Sequence, residues 1–232
     1  MTEIKLFSAR ACPFAHRTRL VLTEKNLPFE LIEIDLQHKP AWFDAKISGY
    51  GKVPALEHDG QHIWESAVIN EYLDEAFPSP RLLPSEPAAR AQARIWIDFA
   101  NSRFAPAFGR LLRAAEGGSE IEARRELTDG LARLERAIER ASSEGPYFLG
   151  ATPSLVDFAI YPWFERWPAL ERFRDFAIPA ELSRLQHWLE HVRALPSVRK
   201  QENPAAYYIQ RYADTLTPAA KRWREDSATL AF

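Results

Sequence analysis

The spacing of apolar residues changes once along this chain, and that change restricts the fold more than any other feature. Over the first 79 residues, short apolar or alternating runs typical of strands take turns with helical spacing. Beyond that point strand-like runs disappear, and apolar residues recur at helical spacing. The change falls in a proline-rich stretch that contains Pro78, Pro80, Pro84 and Pro87. We therefore expect an α/β domain, a linker and an all-helical domain.

The first segment predicts four strands and three helices in the order β-α-β-α-β-β-α. The strands are expected at 4–7, 29–34, 53–57 and 61–64, and the helices at 13–25, at 41–47 and from Glu65 onward. Asp59-Gly60 between the last two strands is a hairpin signal. This order is that of a thioredoxin-like α/β domain. We assign residues 1–79 to it, residues 80–87 to the linker and residues 88–232 to the all-α domain.

The second segment predicts two long helices followed by three or more shorter ones. The long helices are expected at 90–113 and 123–141, separated by Gly117-Gly118. The shorter helices are expected to begin near Ser154, Glu181 and Pro204. The tail after Lys221 carries little apolar periodicity, so it is expected to fray or to pack as an extension.

The bulk composition argues against several classes of partner. With 30 basic and 32 acidic residues the net charge is -2, so neither nucleic acid nor an anionic membrane is indicated. No run is long and apolar enough to span a bilayer, and we expect no secretory signal. A single cysteine favours a reducing compartment, so we expect a cytoplasmic protein. The six histidines lack the context of a metal site, so no metal is expected.

The single cysteine, Cys12, lies between the first strand and the first helix, and Pro13 follows it. Proline suits the first turn of a helix, because its missing N–H would have no partner there. The thiol is then expected at a helix N-terminus, where the dipole favours the nucleophilic thiolate. A buried structural cysteine is the competing interpretation, since free cysteine is among the most buried residue types. His16, one turn further on, is expected on a solvated face.

Three further groups in the first segment complement this thiol. Val53-Pro54 suits a cis bond that leaves the Val53 backbone free for an extended ligand, although a trans proline at a strand edge is the alternative. Glu65 would accept from an ammonium group, and Ser66 is expected to cap a helix where a carboxylate binds. Lys39 adds a cation. Taken singly, Ser66 is an ordinary helix cap and Lys39 a solvated lysine. Together with Cys12 and the Val53 backbone, these groups complement the thiol, the peptide, the ammonium and the two carboxylates of glutathione.

At these residues the chain resembles a cytosolic glutathione transferase, most of all the Omega class. The resemblance covers nearly the whole sequence, and its motifs are specific in combination although each is weak alone. It rests on Cys12-Pro13-Phe14-Ala15, Lys39-Pro40-Ala41-Trp42-Phe43, Lys52-Val53-Pro54-Ala55-Leu56, Glu65-Ser66-Ala67, Ser154-Leu155-Val156-Asp157-Phe158 and Pro162-Trp163-Phe164-Glu165-Arg166.

The resemblance implies a role for each matching residue of the first domain. Cys12 would be the catalytic residue and would form a mixed disulfide with glutathione. Phe14 would pack beside the bound tripeptide, and Lys39 would meet its glycyl carboxylate. Val53 would pair with its cysteinyl backbone, while the Glu65-Ser66 pair would hold its γ-glutamyl end. Pro54 would be structural.

The second domain is expected to supply a structural pair and an acceptor pocket. Ser154 and Asp157 form an S-x-x-D capping box, and the loss of Asp157 is expected to cost about 0.5–2 kcal/mol of stability. The acceptor pocket is expected between the domains, although aromatic clusters are more often core than pocket. Its candidates are Phe104, Phe108, Trp163, Trp167 and Trp188, with Trp188 favoured by similarity to the Omega class.

A cysteine in this position favours disulfide exchange, and without a second cysteine the disulfide must be resolved by another thiol such as glutathione. We therefore expect a glutathione-dependent thiol transferase or reductase that acts on a small electrophilic, disulfide or conjugate substrate. A lyase or dehalogenase acting on aromatic conjugates is the alternative enzyme. A non-catalytic glutathione-transferase-like binding protein, or ligand storage in the cleft, is the alternative of another kind. The resemblance also implies a homodimer.

Overall fold

A computed structural model describes residues 3–49, 51–114, 117–141 and 145–216 of the chain. The tail after Lys221 lies outside these described residues. The first domain contains four strands, β1 (Ile4–Ser8), β2 (Glu30–Glu33), β3 (Ala55–His58) and β4 (Gln61–Trp64). Its helices are α1 (Pro13–Glu24), α2 (Ala41–Phe43), which continues as a π-helical turn (Asp44–Ser48), and α3 (Ser66–Ala76).

The four strands form one mixed sheet in the order β2-β1-β3-β4. Strands β1 and β2 are parallel, with Leu6 opposite Leu31, whereas β3 pairs antiparallel with both β1 and β4. The predicted thioredoxin-like α/β domain followed by a helical domain is confirmed. Strand β3 begins at Ala55 rather than at Val53. Pro54 explains the difference, because proline has no N–H to donate to the ladder.

The described part of the second domain is helical apart from its loops and one isolated bridge between Tyr147 and Gly150. A single helix was expected over 90–113, but a π-helical turn (Ala100–Phe104) interrupts it. Pro106 lies just beyond this turn and lacks the N–H that would bond to the carbonyl of Ser102. The helices are α4 (Pro87–Phe99), α5 (Ala105–Arg113), α6 (Gly118–Ala141), α7 (Leu155–Glu165), α8 (Trp167–Arg174), α9 (Ser183–Ala194), α10 (Pro196–Gln201) and α11 (Ala205–Thr215).

Helix α1 belongs to the cores of both domains. Its residues from Ala15 to Leu22 are all buried, because α1 packs against α3 of its own domain and against α7 and α10 of the second. The chain between the domains is also fixed. Lys25 Nζ lies 2.7 Å from Asp74 Oδ1 in a buried ion pair, and the Asp74 carboxylate accepts from the N–H groups of Leu82 and Leu83. The two domains therefore hold fixed positions on either side of α1.

No helix in the described part of the chain is long and apolar enough to cross a membrane.

Candidate functional site

Cys12 lies at the junction of β1 and α1, one residue before the helix begins. Its own N–H donates to the carbonyl of Ala9 over 2.9 Å, and Pro13 occupies the first helical position. The Sγ atom is partly buried and lies 3.7 Å from the carbonyl oxygen of Val53, within reach of a weak S–H hydrogen bond. The thiol is thus held at a helix N-terminus, against the backbone that precedes β3.

Two buried arginines hold the loop that carries this thiol. Arg166, which follows α7, is fully buried and donates from Nε and Nη2 to the carbonyl of Ala11 over 3.3 and 3.1 Å. Arg19 of α1 donates to the carbonyls of Ala9 and Arg10 over 3.3 and 3.1 Å. The loop therefore depends on both domains. Sequence reasoning assigned neither arginine a role, although Arg166 stands in the motif Pro162-Trp163-Phe164-Glu165-Arg166.

His16 does not lie on the solvated face where we expected it. It is fully buried, because α1 is covered by α7 on that side, and its Nδ1 lies 3.3 Å from Arg166 Nη1. Since Arg166 donates, the proton of the neutral ring sits on Nε2, which faces Glu165 Oε2 at 3.8 Å. Burial and the charges of Arg166 and Arg19 hold the pKa of His16 well below its usual value. Burial raises the pKa of Glu165.

Arg17 is a third buried arginine and connects the two domains. Its guanidinium donates to the carbonyl of Ala159 over 2.9 Å, to Ser66 Oγ over 3.3 Å and to Asn101 Oδ1 over 2.5 Å. It also lies 4.9 Å from the ring centre of Phe14 and 4.5 Å from a ring centre of Trp163. Burial lowers the pKa of Arg17, and the charge of Cys12 raises it. No carboxylate in the described part of the chain pairs with this guanidinium.

A small cavity of about 130 Å³ opens beside Cys12 on the side of the first domain. It brings together four of the predicted glutathione-binding residues, and its lining comprises Phe14, Lys52, Val53, Pro54, Glu65 and Ser66. The Val53-Pro54 bond is cis. Ser66 is the first residue of α3 rather than its cap, and Glu65 precedes it at φ 68° and ψ 114°. A positive φ in a residue other than glycine is uncommon and clusters at functional sites.

Lys39 does not line this cavity. Its ammonium group donates to the carbonyl of Gly51 over 3.1 Å and lies 3.7 Å from Asp44 Oδ2. The structure therefore places the predicted cation beside the loop that leads to Val53, with a carboxylate for a neighbour. Lys52, to which sequence reasoning gave no role, is the lysine that lines the cavity.

A larger cavity of about 450 Å³ lies between the domains on the other side of Cys12. Phe14 lines both cavities, and its ring stands edge-on to Trp163 with the ring centres 5.2 Å apart. Of the predicted acceptor residues, Phe108 and Trp163 line this cavity. The remaining lining residues are Ala11, Pro13, Leu36, Asn101, Ala105, Pro106, Gly109, Leu112, Arg113, Tyr208, Arg211, Tyr212 and Thr215.

Three of the expected acceptor residues do not line the large cavity. Trp188 is fully buried, and its indole N–H donates to Asp157 Oδ1 over 2.6 Å. Phe104 and Trp167 stack against Phe164 with ring centres 5.5 and 5.1 Å apart, and Phe104 lines a different cavity. These side chains lie in the helical core because large aromatic residues are favoured at buried positions. Tyr208 and Tyr212 of α11 replace them in the cavity.

Asp157 accepts more hydrogen bonds than a capping box requires. Its Oδ2 accepts from the backbone N–H and the hydroxyl of Ser154 over 2.7 and 2.6 Å, as predicted for the N-terminus of α7. Its Oδ1 accepts from Phe148 N–H and from Trp188. Burial raises the pKa of Asp157 against the effect of these donors. Neither residue of the Ser154-Asp157 pair lines the two cavities beside Cys12, which agrees with a structural role.

Within the described ranges, no group of three or more histidine, cysteine, aspartate or glutamate side chains could hold a metal ion. Cys12 is the thiol that lies next to the two cavities described above. The arrangement offers a thiol, a small polar cavity on one side of it and a larger, mainly apolar cavity on the other.

Known proteins resemble this chain along both domains. The family models for the glutathione S-transferase N-terminal and C-terminal domains match residues 6–81 and 91–191. Glutathione S-transferase omega-1 of Sus scrofa is 39% identical over 169 residues, which are 72% of this chain and 68% of the relative. Glutathione transferase Omega 3C from Trametes versicolor has a TM-score of 0.80 and 31% identity, covering 92% of this chain and 91% of its own. Chlamydomonas reinhardtii dehydroascorbate reductase has a TM-score of 0.77 and 25% identity, covering 91% and 98%.

Proposed function

This chain belongs to the glutathione S-transferase family and is a glutathione transferase of Omega type, and on that premise we propose that its Cys12 forms a mixed disulfide with glutathione. The observation that carries the proposal is the place of the thiol. Cys12 lines the large cavity, and its sulfur lies 3.7 Å from the carbonyl of Val53, which lines the small one. A ligand in the large cavity therefore meets Cys12 directly, and a ligand in the small cavity lies against the residue whose carbonyl is next to the sulfur.

The small cavity suits the tripeptide. The Val53 backbone would pair with the cysteinyl residue of glutathione, and Phe14 would cover it. Glu65 would accept from the γ-glutamyl ammonium group, while Ser66 and the start of α3 would receive the α-carboxylate. Lys39 would meet the glycyl carboxylate in exchange for its contact with Asp44, which lies 3.7 Å away.

The reaction consists of two thiol–disulfide exchanges. The Cys12 thiolate attacks the glutathione sulfur of a mixed disulfide, so that the Cys12–glutathione bond forms and the substrate leaves as a thiolate. A second glutathione thiolate then attacks the same glutathione sulfur. Glutathione disulfide leaves and the Cys12 thiolate is restored. In the net reaction one glutathione thiol is consumed, the substrate thiol is released, and the glutathionyl group that came with the substrate ends in glutathione disulfide. Cys12 is the only cysteine in the chain, so this second thiol has to come from outside.

Dehydroascorbate is a second substrate to test, because the structural neighbour from Chlamydomonas reinhardtii is a dehydroascorbate reductase. Glutathione-dependent chemistry and a single cysteine both suit a reducing compartment such as the cytoplasm. We further propose that the protein is a homodimer, which sedimentation velocity will test at several concentrations. A monomer at every concentration would contradict the proposed dimer but would leave the proposed reaction mechanism unaffected.

Replacement of the thiol tests the mechanism. In Cys12→Ser we expect reduction of a glutathionylated substrate to fall about 100-fold or more, because the nucleophile is lost, and weak conjugation activity to appear. Cys12→Ala is the matched control and should lose both activities. Intact-mass measurement after incubation with glutathione disulfide should show one dithiothreitol-sensitive glutathionyl group on the wild type and none on either variant. Unchanged reductase turnover in Cys12→Ser would refute the mechanism.

A further inference from the structure

The protein lining of the large cavity includes two arginines and no carboxylate. Arg113, in the last turn of α5, and Arg211, on α11, both line it, while none of the lining residues is an aspartate or a glutamate. The remaining walls are mainly apolar or aromatic, with Phe108, Leu112 and Trp163 among them. A ligand that fills this space therefore meets an apolar surface with cations on it.

Neither arginine has a carboxylate partner in the described part of the chain. Some other arginines of the second domain do have one. Arg110, one turn before Arg113 on the same helix, lies 2.6 Å from Glu126, and Arg124 lies 2.7 Å from Glu120. Asp214, one turn after Arg211, accepts instead from Gln210 over 2.9 Å. Among the described residues, neither cavity arginine is thus engaged by a carboxylate, and both guanidinium groups line the space that a ligand would fill.

Gly109 gives Arg113 its place in the cavity wall. A Cβ atom at position 109 would lie 2.6 Å from Arg113 Nη2, so the guanidinium rests directly on the helix backbone there. Gly109 itself lines the cavity. Glycine inside a helix is less favourable than alanine, so Gly109 makes α5 less stable than alanine at this position would. The arginine would otherwise be explained as a cation at a helix C-terminus, but that explanation does not require glycine one turn earlier.

The charge of Arg113 also reaches Tyr212, which connects it to the reacting sulfur. Tyr212 lines the same cavity, and burial raises the pKa of its hydroxyl. The charges of Arg166 and Arg113 oppose that rise, while the charge of Cys12 adds to it. Cys12, Arg113 and Tyr212 all line this cavity, so one bound acceptor faces all three.

We propose that Arg113 and Arg211 select acceptors that carry a carboxylate or a similar anionic group on an apolar body, with the sulfur to be attacked placed at Cys12. This inference rests on the proposed function for the identity of the reaction, but the anion subsite is a property of the cavity itself. The carboxylate belongs either to the acceptor substrate or to the second glutathione that resolves the disulfide. Both offer the same group to the guanidinium fork.

A binding experiment tests the subsite without any reaction. Two stable thioethers, S-(4-carboxybenzyl)glutathione and S-(4-carbamoylbenzyl)glutathione, have nearly the same shape, and only the first has the extra carboxylate. By isothermal titration calorimetry on the full chain, we expect the carboxylate to bind about tenfold more tightly. Arg113→Gln and Arg211→Gln should each reduce that ratio. Arg110→Gln, which removes an arginine of the same helix that is paired with Glu126, should leave it unchanged.

Gly109→Ala provides a variant in which both arginines remain. The added methyl group should displace the Arg113 guanidinium, so the ratio should fall while the thermal midpoint of unfolding stays the same or rises. Equal binding of the two thioethers to the wild type would overturn the anion subsite and leave the proposed function standing. Failure of both thioethers to bind would overturn the subsite together with the glutathione site on which the proposed function depends.

A kinetic arm separates the two sources of the carboxylate. The mixed disulfides of glutathione with 4-mercaptobenzoate and with 4-mercaptobenzamide are compared as substrates in wild type and Arg113→Gln. A lower kcat/KM for the benzoate alone identifies the acceptor as the source. A higher KM for glutathione in the variant, equal for both substrates, identifies the resolving glutathione. If Arg113→Gln changes neither quantity, the role of Arg113 in selecting anions is refuted.

Discussion

The two cavities beside Cys12 are built in different ways. The smaller, of about 130 Å³, is lined only by residues between Phe14 and Ser66, all from the first domain. The larger, of about 450 Å³, takes most of its lining from the second domain, including Arg113 and Tyr212. The first is small and polar and suits one constant ligand. The second is larger and mainly apolar, with Arg113 and Arg211 in its lining, and we propose that the reacting partner is selected there.

Arg17 is the residue whose replacement should affect both cavities most. Its buried guanidinium donates to Ser66 of the small cavity and to Asn101 of the large one, and it interacts with the charge of Cys12. In Arg17→Met we expect alkylation of Cys12 by iodoacetamide at pH 7 to slow about tenfold or more, because a buried cation whose charge interacts with Cys12 is lost. The KM values for glutathione and acceptor should both rise.

Arg17→Lys is the control for charge, since it keeps a cation without the planar fork and should recover the alkylation rate better than the KM values. If only one of the two KM values, for glutathione or for the acceptor, rises in Arg17→Met, the two cavities are independent and the prediction is wrong.

Glu65→Gln should affect the small cavity alone. Glutamine keeps the size of the side chain but removes the negative charge opposite the γ-glutamyl ammonium group. We expect the KM for glutathione to rise about tenfold, as the loss of a charge-assisted hydrogen bond predicts. The preference for carboxylate over carboxamide thioethers should stay the same. Steady-state kinetics and calorimetry measure the two effects separately, and a change in that preference would mean that the two cavities are coupled.

The buried cluster behind Cys12 should make stability depend on pH. The pKa of His16 lies well below its ordinary value of 6.5 in the folded state, so the unfolded chain binds the proton first on acidification. The free energy of unfolding should therefore fall as the pH decreases below 6.5, by about 1 kcal/mol between pH 7.5 and 5.5. Urea unfolding at several pH values measures it.

His16→Gln is the matched variant for that experiment, because its side chain does not titrate. The difference between wild type and variant isolates His16 from Glu165. Since burial raises the pKa of Glu165, that residue contributes the opposite slope, with stability lost as the pH rises through its folded-state pKa. If the free energy of unfolding depends on pH in the same way in wild type and His16→Gln, then His16 binds a proton as readily in the folded as in the unfolded state. That result would contradict the lowered pKa of His16.

Trp188→Phe should have the smallest effect on turnover. Trp188 is fully buried and reaches Asp157 instead of either cavity beside Cys12. We expect kcat and KM to stay unchanged, while the free energy of unfolding falls by about 1 kcal/mol because Asp157 loses one donor. Trp163→Phe is the comparison, since Trp163 lines the large cavity and should change the acceptor KM. A raised acceptor KM in Trp188→Phe would show that Trp188 does contribute to the acceptor site.

The sequence predicted the lining of the small cavity better than that of the large one, because the two linings are built differently. Val53, Glu65 and Ser66 follow recognisable strand and helix ends, so local patterns placed them near Cys12. Arg113 and Arg211 are 98 residues apart in sequence, and only the packing of α5 and α11 around one cavity brings them together. Helical periodicity does not contain that information.

The wrong expectations share a cause. His16 is expected on a solvated face from the sequence, whereas neighbours from both domains cover α1. Trp188 is expected in the pocket by similarity to the Omega class, yet its indole N–H donates to the buried carboxylate of Asp157 instead. Burial of a polar or amphipathic side chain depends on which partner the fold brings to it, and the partner in both cases comes from a distant part of the chain.

Helix α1 also limits what evolution and protein engineering can do with the two halves. Arg17 of this helix bonds to Ala159, and Arg166 holds Ala11 in return, so each domain completes the buried polar groups of the other. A hybrid that joins this first domain to the second domain of a relative would leave those groups without partners unless both contact surfaces were exchanged together. The two domains therefore have to be exchanged or redesigned together, although a proline-rich linker divides them in the sequence.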